Sequence, residues 1–394
     1  MRFTVEDVAY LGGEEGRQAL AVVGEMALTD ASRISDTASA RACFGDRATS
    51  IIETTMLRRK AAAKFSDASR WLFTEEALQQ ATAAEVAAHR AMRLTGMAVH
   101  DVTCSVGTEV AALRHRASRV VGSDVDDVRL AMAGHNLGRE GAEGADVLLC
   151  RADALRPVTR DTAVVADPAR RSGGRRRFDP RDYTPALNDL LEVYAGRDLV
   201  VKCAPGIDFD QIRRLGFDGE IEVISLGGGV REACLWSPGL ASPNVTRRAT
   251  ILDRAEHITD AESDDCHVAA AGRWIIDPDG AVVRAGLVRH YGARHGLWQL
   301  DPDIAYLSGN ELPPGVRGFE VIAELAYSER LLRHELSARD VGAVEILVRG
   351  VSVDPDVLRP RLRLRGSQRL SVVITRIGTG SASRAVAYVC LPSR

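Results

Sequence analysis

The sequence predicts an α/β protein: a mostly parallel sheet that ends in an antiparallel hairpin, with a helical region before it and an α+β region after it. Three observations carry this. Short, uninterrupted apolar runs such as Thr162-Ala-Val-Val-Ala166 recur between residues 98 and 237, as expected for strands buried on both faces. Stretches with helical spacing, such as Glu109 to Arg119, separate the early runs. The last two runs, 221–226 and 232–237, are parted only by Gly227-Gly-Gly229 and a few residues, which is hairpin spacing.

Residues 1–93 read as a helical N-terminal region, with apolar faces over 18–28 and 50–65. Thr82-Ala-Ala-Glu85 has the S/T-x-x-E form of a capping box and predicts a helix over 85–94. The basic run Arg58-Arg59-Lys60, with Lys64 and Arg70, reads as a solvated helix face in preference to an RNA contact. Trp71-Leu-Phe73 is expected either to pack on the next domain or to cover a bound adenine. A second domain is expected over 94–257, with strands at 98–103, 119–124, 146–150, 162–166, 198–203, 221–226 and 232–237. The polar stretch from Ala255 to Asp265 reads as a boundary, and residues 268–394 as an α+β domain. There, strand patterns recur at 281–288, 318–325, 343–349, 370–377 and 384–391. Ser328 is placed to cap a helix running to Leu336, and a short helix is expected to start near Asp354.

Composition excludes several classes. With 394 residues, 45% hydrophobic and 27% charged, the chain is an ordinary globular one. Met1-Arg-Phe-Thr-Val-Glu-Asp lacks a basic segment followed by an apolar core, and no apolar run approaches the roughly 18 residues of a membrane span. A cytoplasmic protein with no membrane partner is therefore expected. The 7 cysteines are scattered and never in C-x-x-C spacing, which argues against a disulfide framework and a zinc site; no metal is expected. Arginine carries nearly all the positive charge of a chain whose net charge is −3, so only local arginine clustering points to a polyanion.

The chemistry gathers at strand ends. Val99-His-Asp-Val-Thr-Cys-Ser-Val-Gly107-Thr reads as a strand, a tight turn and a helix start. Asp101 lies where open α/β sheets bind ligands, and suits an ammonium group. The helix amino terminus, with Thr103, Cys104, Ser105 and Thr108 in the turn, suits an anionic end, and Gly107 stands where a side chain would block a ligand. Asp124, followed by Val125, falls about 20 residues on, the place of a carboxylate that holds a ribose diol. No full G-x-G-x-x-G is present; the pattern D-x-x-C-x-x-G…D suits S-adenosylmethionine better than a dinucleotide. Asp153, with Ala154, is placed to accept the adenine amino group, although a loop acid would look the same.

The fourth strand ends in Asp167-Pro-Ala-Arg170. Asp167 is expected to hold an amino or ring N–H of the methyl acceptor, with Arg170 beside it. Arg171, Arg175, Arg176 and Arg177 crowd the same loop and suit a phosphate backbone or an unstacked base; a surface loop rich in arginine is the alternative. Lys202 points either to the active-site edge or to an acid within the sheet. Arg359, Arg361, Arg363, Arg365 and Arg369 form a second candidate RNA surface if they alternate along a strand, and a solvated face otherwise.

Residues 80–140 resemble the trimethylguanosine synthase type of RNA methyltransferase. The Thr-Pro-Glu-x-Ile-Ala-x-His segment of that group appears as Thr82-Ala-Ala-Glu85-Val-Ala-Ala-His89, followed in order by Asp101…Gly107 and Asp124-Val-Asp126. The match departs at Asp167-Pro-Ala-Arg170, where that group carries Pro-Pro-aromatic. Over nearly its whole length the chain resembles bacterial, chiefly actinobacterial, methyltransferase-like proteins with a THUMP-like C-terminal domain. Asp167-Pro-Ala-Arg-Arg, Lys202-Cys-Ala-Pro-Gly-Ile-Asp, Ile304-Ala-Tyr-Leu and Val348-Arg-Gly-Val carry that resemblance. It implies a class I methyltransferase with a Rossmann-like sheet, S-adenosyl-L-methionine as cofactor, and RNA as substrate, tRNA ahead of rRNA. A protein or small-molecule acceptor, or a non-catalytic cofactor- or RNA-binding module, are the alternatives.

Overall fold

Thr4 opens the first helix with a reciprocal cap: its hydroxyl accepts from the Asp7 amide, and the Asp7 carboxylate accepts from the Thr4 amide. The structure is a computed structural model that describes residues 3–65, 68–138, 144–169, 171–172, 175–176 and 179–392. The chain divides into two units, one of residues 1–220 with 232–241 and one of 221–231 with 242–394.

The first unit begins with helices α1 (Val5–Gly12), α2 (Glu14–Gly24), α3 (Arg33–Phe44), α4 (Ala48–Ala61), α5 (Glu75–Gln80) and α6 (Ala84–Arg93). Their apolar faces, with Leu11, Val23, Ile51 and Leu72 fully buried, share one core with Val106 and Met132 from the α/β part. Strands β1 (Ala98–Asp101), β2 (Arg119–Asp124), β3 (Val147–Arg151) and β4 (Ala163–Ala166) follow, with α7 (Thr108–Leu113) and α8 (Asp127–Leu137) between the first three. After β4 comes a short antiparallel ribbon, β5 (Arg171–Ser172) with β6 (Arg175–Arg176). Then come α9 (Leu187–Val193), β7 (Leu199–Cys203), α10 (Phe209–Arg214), β8 (Glu220–Leu226) and β9 (Gly229–Trp236). The first unit's strands lie in the order β9-β7-β4-β1-β2-β3. All pair in parallel except β9, which runs antiparallel to β7 with Lys202 opposite Cys234. The chain reverses between β8 and β9 at Gly227 and Gly228, both at positive φ, as a two-residue primed turn demands.

The second unit adds β10 (Arg247–Ile251) and β11 (Glu256–Thr259); β10 pairs in parallel with β8 and antiparallel with β11. Its other elements are β12 (Trp274–Ile276), α11 (Gly280–Ala285), α12 (Val288–His295), β13 (Trp298–Asp301), β14 (Ile304–Gly309), β15 (Gly318–Ala326), α13 (Glu329–Ala338), β16 (Val341–Arg349), α14 (Pro355–Arg361), β17 (Gln368–Ile377) and β18 (Arg384–Cys390). Seven strands form one sheet in the order β13-β14-β12-β15-β18-β17-β16. Ser328 and Asp354 cap α13 and α14 through their side-chain oxygens, as their positions suggest. Among the described residues no helix is long and apolar enough to cross a membrane.

Several local expectations fail, each for a visible reason. Residues 281–285 belong to helix α11 and Val288 opens α12, because the Asp279 carboxylate caps the Ala281 amide at 2.8 Å and Gly286 closes α11 at φ +72°; caps at both ends outweigh the strand preference of the valines. Part of the polar stretch 255–265 is strand β11. Thr82 does not cap α6, whose N-cap is Ala83; its hydroxyl turns instead to Glu232, at 3.5 Å. The five C-terminal arginines share no strand: Arg359 and Arg361 belong to α14, Arg363 is left-handed at φ +51°, and Arg369 lies in β17. The basic run of α4, by contrast, is largely the solvated face expected: Arg59 and Lys60 are exposed, Arg59 donating to the carbonyls of Gly24, Met26 and Ala27 and Lys60 pairing with Glu75, while half-buried Lys64 donates to the Leu78 carbonyl. Phe65, Trp71 and Phe73 form a three-ring cluster in which each ring packs on the other two, centroids 6.0, 5.8 and 5.9 Å apart.

Candidate active site

A cavity of about 510 Å³ opens at the carboxyl ends of the parallel strands. Asp101, Thr103, Cys104, Ser105 and Thr108 line it from the β1 turn, Asp124 and Val125 from β2, Asp153 and Ala154 from the segment after β3, and Asp167 from the end of β4. Gly107 does not line it. Gly107 sits at φ +87° as the N-cap of α7, and a Cβ there would meet Leu137 Cδ1 at 2.9 Å and Ala133 Cβ at 3.4 Å. The glycine therefore serves a left-handed turn packed on α8, and not the approach of a ligand. Neither Trp71 nor Phe73, of the segment considered for covering an adenine, is among the described lining residues.

Asp101 is 2% exposed. Its Oδ1 accepts from the Thr103 amide at 3.1 Å, and no cation pairs with it among the described residues. Burial pushes its affinity for protons well above the usual carboxylate range; the nearby carboxylates of Glu109, Asp167 and Asp124 push the same way, against the Thr103 bond. Asp124 accepts from the Ser105 amide at 3.1 Å on one oxygen and from the Asp126 amide at 2.9 Å on the other. Each of those oxygens keeps a lone pair directed elsewhere. Val125 is 59% exposed at the cavity lip, and Asp153 accepts from the Leu155 amide at 2.9 Å. Burial, reinforced by Asp101 and Asp124, drives the Cys104 thiol far up, so it is an inert wall group.

The end of β4 is built from two sides. The Asp167 amide donates to Thr103 Oγ1 at 2.6 Å. Lys202 Nζ donates to Asp167 Oδ2 at 2.6 Å and to the Gln80 carbonyl at 3.0 Å. The lysine side chain is 5% exposed and that of Asp167 35%, so the pair is open to the cavity on its acid side. Lys202 thus satisfies both expectations at once, lining the cavity and pairing with an acid. Gln80 Nε2 is buried beside it with no hydrogen-bond partner.

Behind this wall lies a buried ionic group that no sequence motif announced. Arg90, 1% exposed, donates to both oxygens of Glu109, at 2.7 and 2.9 Å. Its other amino group reaches Glu232 and, at 2.8 Å, Cys234 Sγ. Burial opposes the charge on Arg90, yet the two glutamates hold its affinity for protons well above the ordinary value. Burial likewise opposes the charge on Glu232, and Arg90 and Lys202 overcome it. The partners stand 19 and 142 residues apart, a pairing that only the folded sheet creates. His100, under the sheet, bonds Thr159 and Ser123 at 2.9 Å each; burial, with Arg197, pushes it down to about 4, so it is a neutral core group.

The turn is also suspended from the N-terminal helices. Asn136 of α8 accepts from the Leu72 amide at 2.8 Å and donates to the carbonyls of Leu72 and Val106 at 3.0 and 2.9 Å. Arg170 and Arg177 lie outside the described residues. Arg171, Arg175 and Arg176 belong to the ribbon β5–β6. That loop is pinned at its base by two hydrogen bonds between Ala169 and Thr184, 2.8 and 3.0 Å, and both residues line the cavity.

Residues 316–392 match the model of a family described as THUMP domain-like, and residues 4–61 match a domain of unknown function. The chain is 68% identical over 360 residues to proteins of two Mycobacterium tuberculosis strains, CDC 1551 and H37Rv, each named an uncharacterized S-adenosylmethionine-dependent methyltransferase; the match covers 90% of this chain and all of theirs. A crystal structure of a protein from Porphyromonas gingivalis W83, assigned as a methyltransferase, superposes with a TM-score of 0.76 at 19% identity over 99% of both chains.

Proposed function

The chain belongs to this family of S-adenosylmethionine-dependent methyltransferases, and from that premise we propose that its acceptor is a base in structured RNA, tRNA ahead of rRNA. The observation that carries the reading is Asp167, held by Lys202 at the cavity wall beside the pinned base of an arginine-rich loop. The THUMP-like segment supports the same class of substrate.

The cavity suits the cofactor. Asp101 is a buried carboxyl group without a cationic partner among the described residues, matched to the methionine ammonium. The free lone pairs of Asp124 match two ribose hydroxyls, and exposed Val125 matches the face of an adenine whose amino group Asp153 accepts. In this reading Thr103, Cys104, Ser105 and Thr108 wall the methionine end. When bound, the cofactor supplies an electrophilic methyl group on a sulfonium. Lys202 occupies Oδ2 of Asp167 and leaves Oδ1 to accept an N–H of the base. The acceptor nitrogen loses that proton as it gains the methyl group, and the ion pair with Lys202 keeps the receiving carboxylate oriented. Arg170 and the ribbon arginines are assigned to the phosphates flanking the base.

The test is tritium transfer from labelled S-adenosylmethionine into total RNA from a strain lacking the gene. Wild-type enzyme should label a tRNA fraction, and Asp167→Ala should lower the rate by about 10²-fold or more. Absence of labelling by wild type, or equal labelling by the variant, overturns the reading.

A further inference from the structure

A second cavity, of about 570 Å³, lies in the first unit between the N-terminal helices and α8, and no step of methyl transfer uses it. Arg17, Arg58, Arg70 and His135 line it over an apolar wall that includes Leu20 and Trp71. No carboxylate is among its described lining residues. Arg17 is shared with Glu14 at 2.6 Å. Arg58 differs: its Nε donates to the Trp71 carbonyl at 2.8 Å, it is half-buried, and no described carboxylate faces it. Burial alone accordingly pulls its affinity for protons down to about 10. Arg70, which is exposed, likewise has no acid partner among the described residues. A desolvated guanidinium without a counter-ion is costly, and an arriving anion removes that cost.

We propose that this concavity is a phosphate site, filled by a backbone phosphate of the RNA, so that the N-terminal helices form part of the substrate-binding surface. The inference rests on the RNA reading for the source of the phosphate, and on Arg58 and Arg70, without an acid partner among the described residues, for the phosphate itself. The planar forks of the two arginines suit phosphate oxygens, and Trp71, packed against Phe65 and Phe73, supplies an apolar wall where the attached sugar and base would lie.

The experiment measures binding of fluorescein-labelled tRNA to full-length protein by anisotropy across a series of NaCl concentrations. Arg58→Gln combined with Arg70→Gln should weaken binding about tenfold and lower the salt slope by roughly 0.7–0.9, the share of one phosphate. Arg70→Glu alone, at an exposed position, should weaken binding without disturbing the fold. Arg33→Gln with Arg41→Gln, the same charge loss on α3, should leave the slope unchanged. S-adenosylmethionine binding by calorimetry should be the same in every variant. If the cavity variants bind tRNA as wild type does, or if the α3 variant loses as much, the phosphate site is overturned while the RNA reading stands. If wild type binds no RNA, the RNA reading falls, and inorganic pyrophosphate decides the site. A pyrophosphate-induced rise in melting temperature that disappears in the cavity variants supports it, and no rise overturns it.

Discussion

Asp101 is a carboxyl group whose ionisation the folded chain resists. The group is raised, so its stabilising contribution is complete below its unfolded value of about 3.9 and is lost as pH climbs through the folded value. Above the unfolded value the buried acid weakens the ligand-free protein. Asp101→Asn should therefore raise the melting temperature of the ligand-free enzyme at pH 7.5, while weakening S-adenosylmethionine about 10–100-fold in calorimetry, the worth of a charge-assisted bond. A variant that binds the cofactor as tightly as wild type would remove Asp101 from the site. Lys202 acts through its neighbour. Lys202→Met should lower kcat about 10–100-fold, with little change in the cofactor Kd, because what is lost is the aim of Asp167. A matching rise in Kd would show that the lysine serves the cofactor instead.

Among elements, Arg90 ties α6 to α7 and to the antiparallel strand β9. Replacing it by methionine strands two carboxylates, one of them fully buried, and should cost about 3–5 kcal/mol in urea unfolding. Asp279→Ala, which removes only the cap of α11, should cost about 1 kcal/mol. Strands β1, β2, β4 and β7 were legible because short apolar runs buried on both faces have few other readings. The segment 281–288 was misread because its caps lie outside the apolar run that drew attention. Thr82 was misread because a capping box is a local pattern, and Glu232, which claims its hydroxyl, is 150 residues away.

At the scale of the whole chain, Glu232, Glu256 and Asp260 are all held below their ordinary carboxylate values. For Glu256 the leading cause is the His295 bond; for Glu232 and Asp260 partners overcome an opposing burial. Each contributes stability above an unfolded value near 4 and loses it as pH falls through the lower folded value. Beside these three carboxylates, Asp101 works in the opposite sense. His100, His135, His257 and His290 are held below the ordinary imidazole value by burial and act with the lowered acids, so the melting temperature should begin to fall as pH drops below about 6.5 and fall more steeply below about 4.5. The strand-end acids were readable in order because an open α/β sheet delivers its ligand groups in chain order. Arg90, Glu109, Glu232 and the Gln80 carbonyl were not, since each acquires meaning only from a partner brought across the sheet. Asn136 carries one last implication. By gripping both polar atoms of Leu72 and the carbonyl of Val106, a single amide fastens the opening segment to the turn after β1, on top of the apolar core they share. A shortened protein starting after residue 72 would not be a leaner catalyst; it would be one whose central loop had come unhooked.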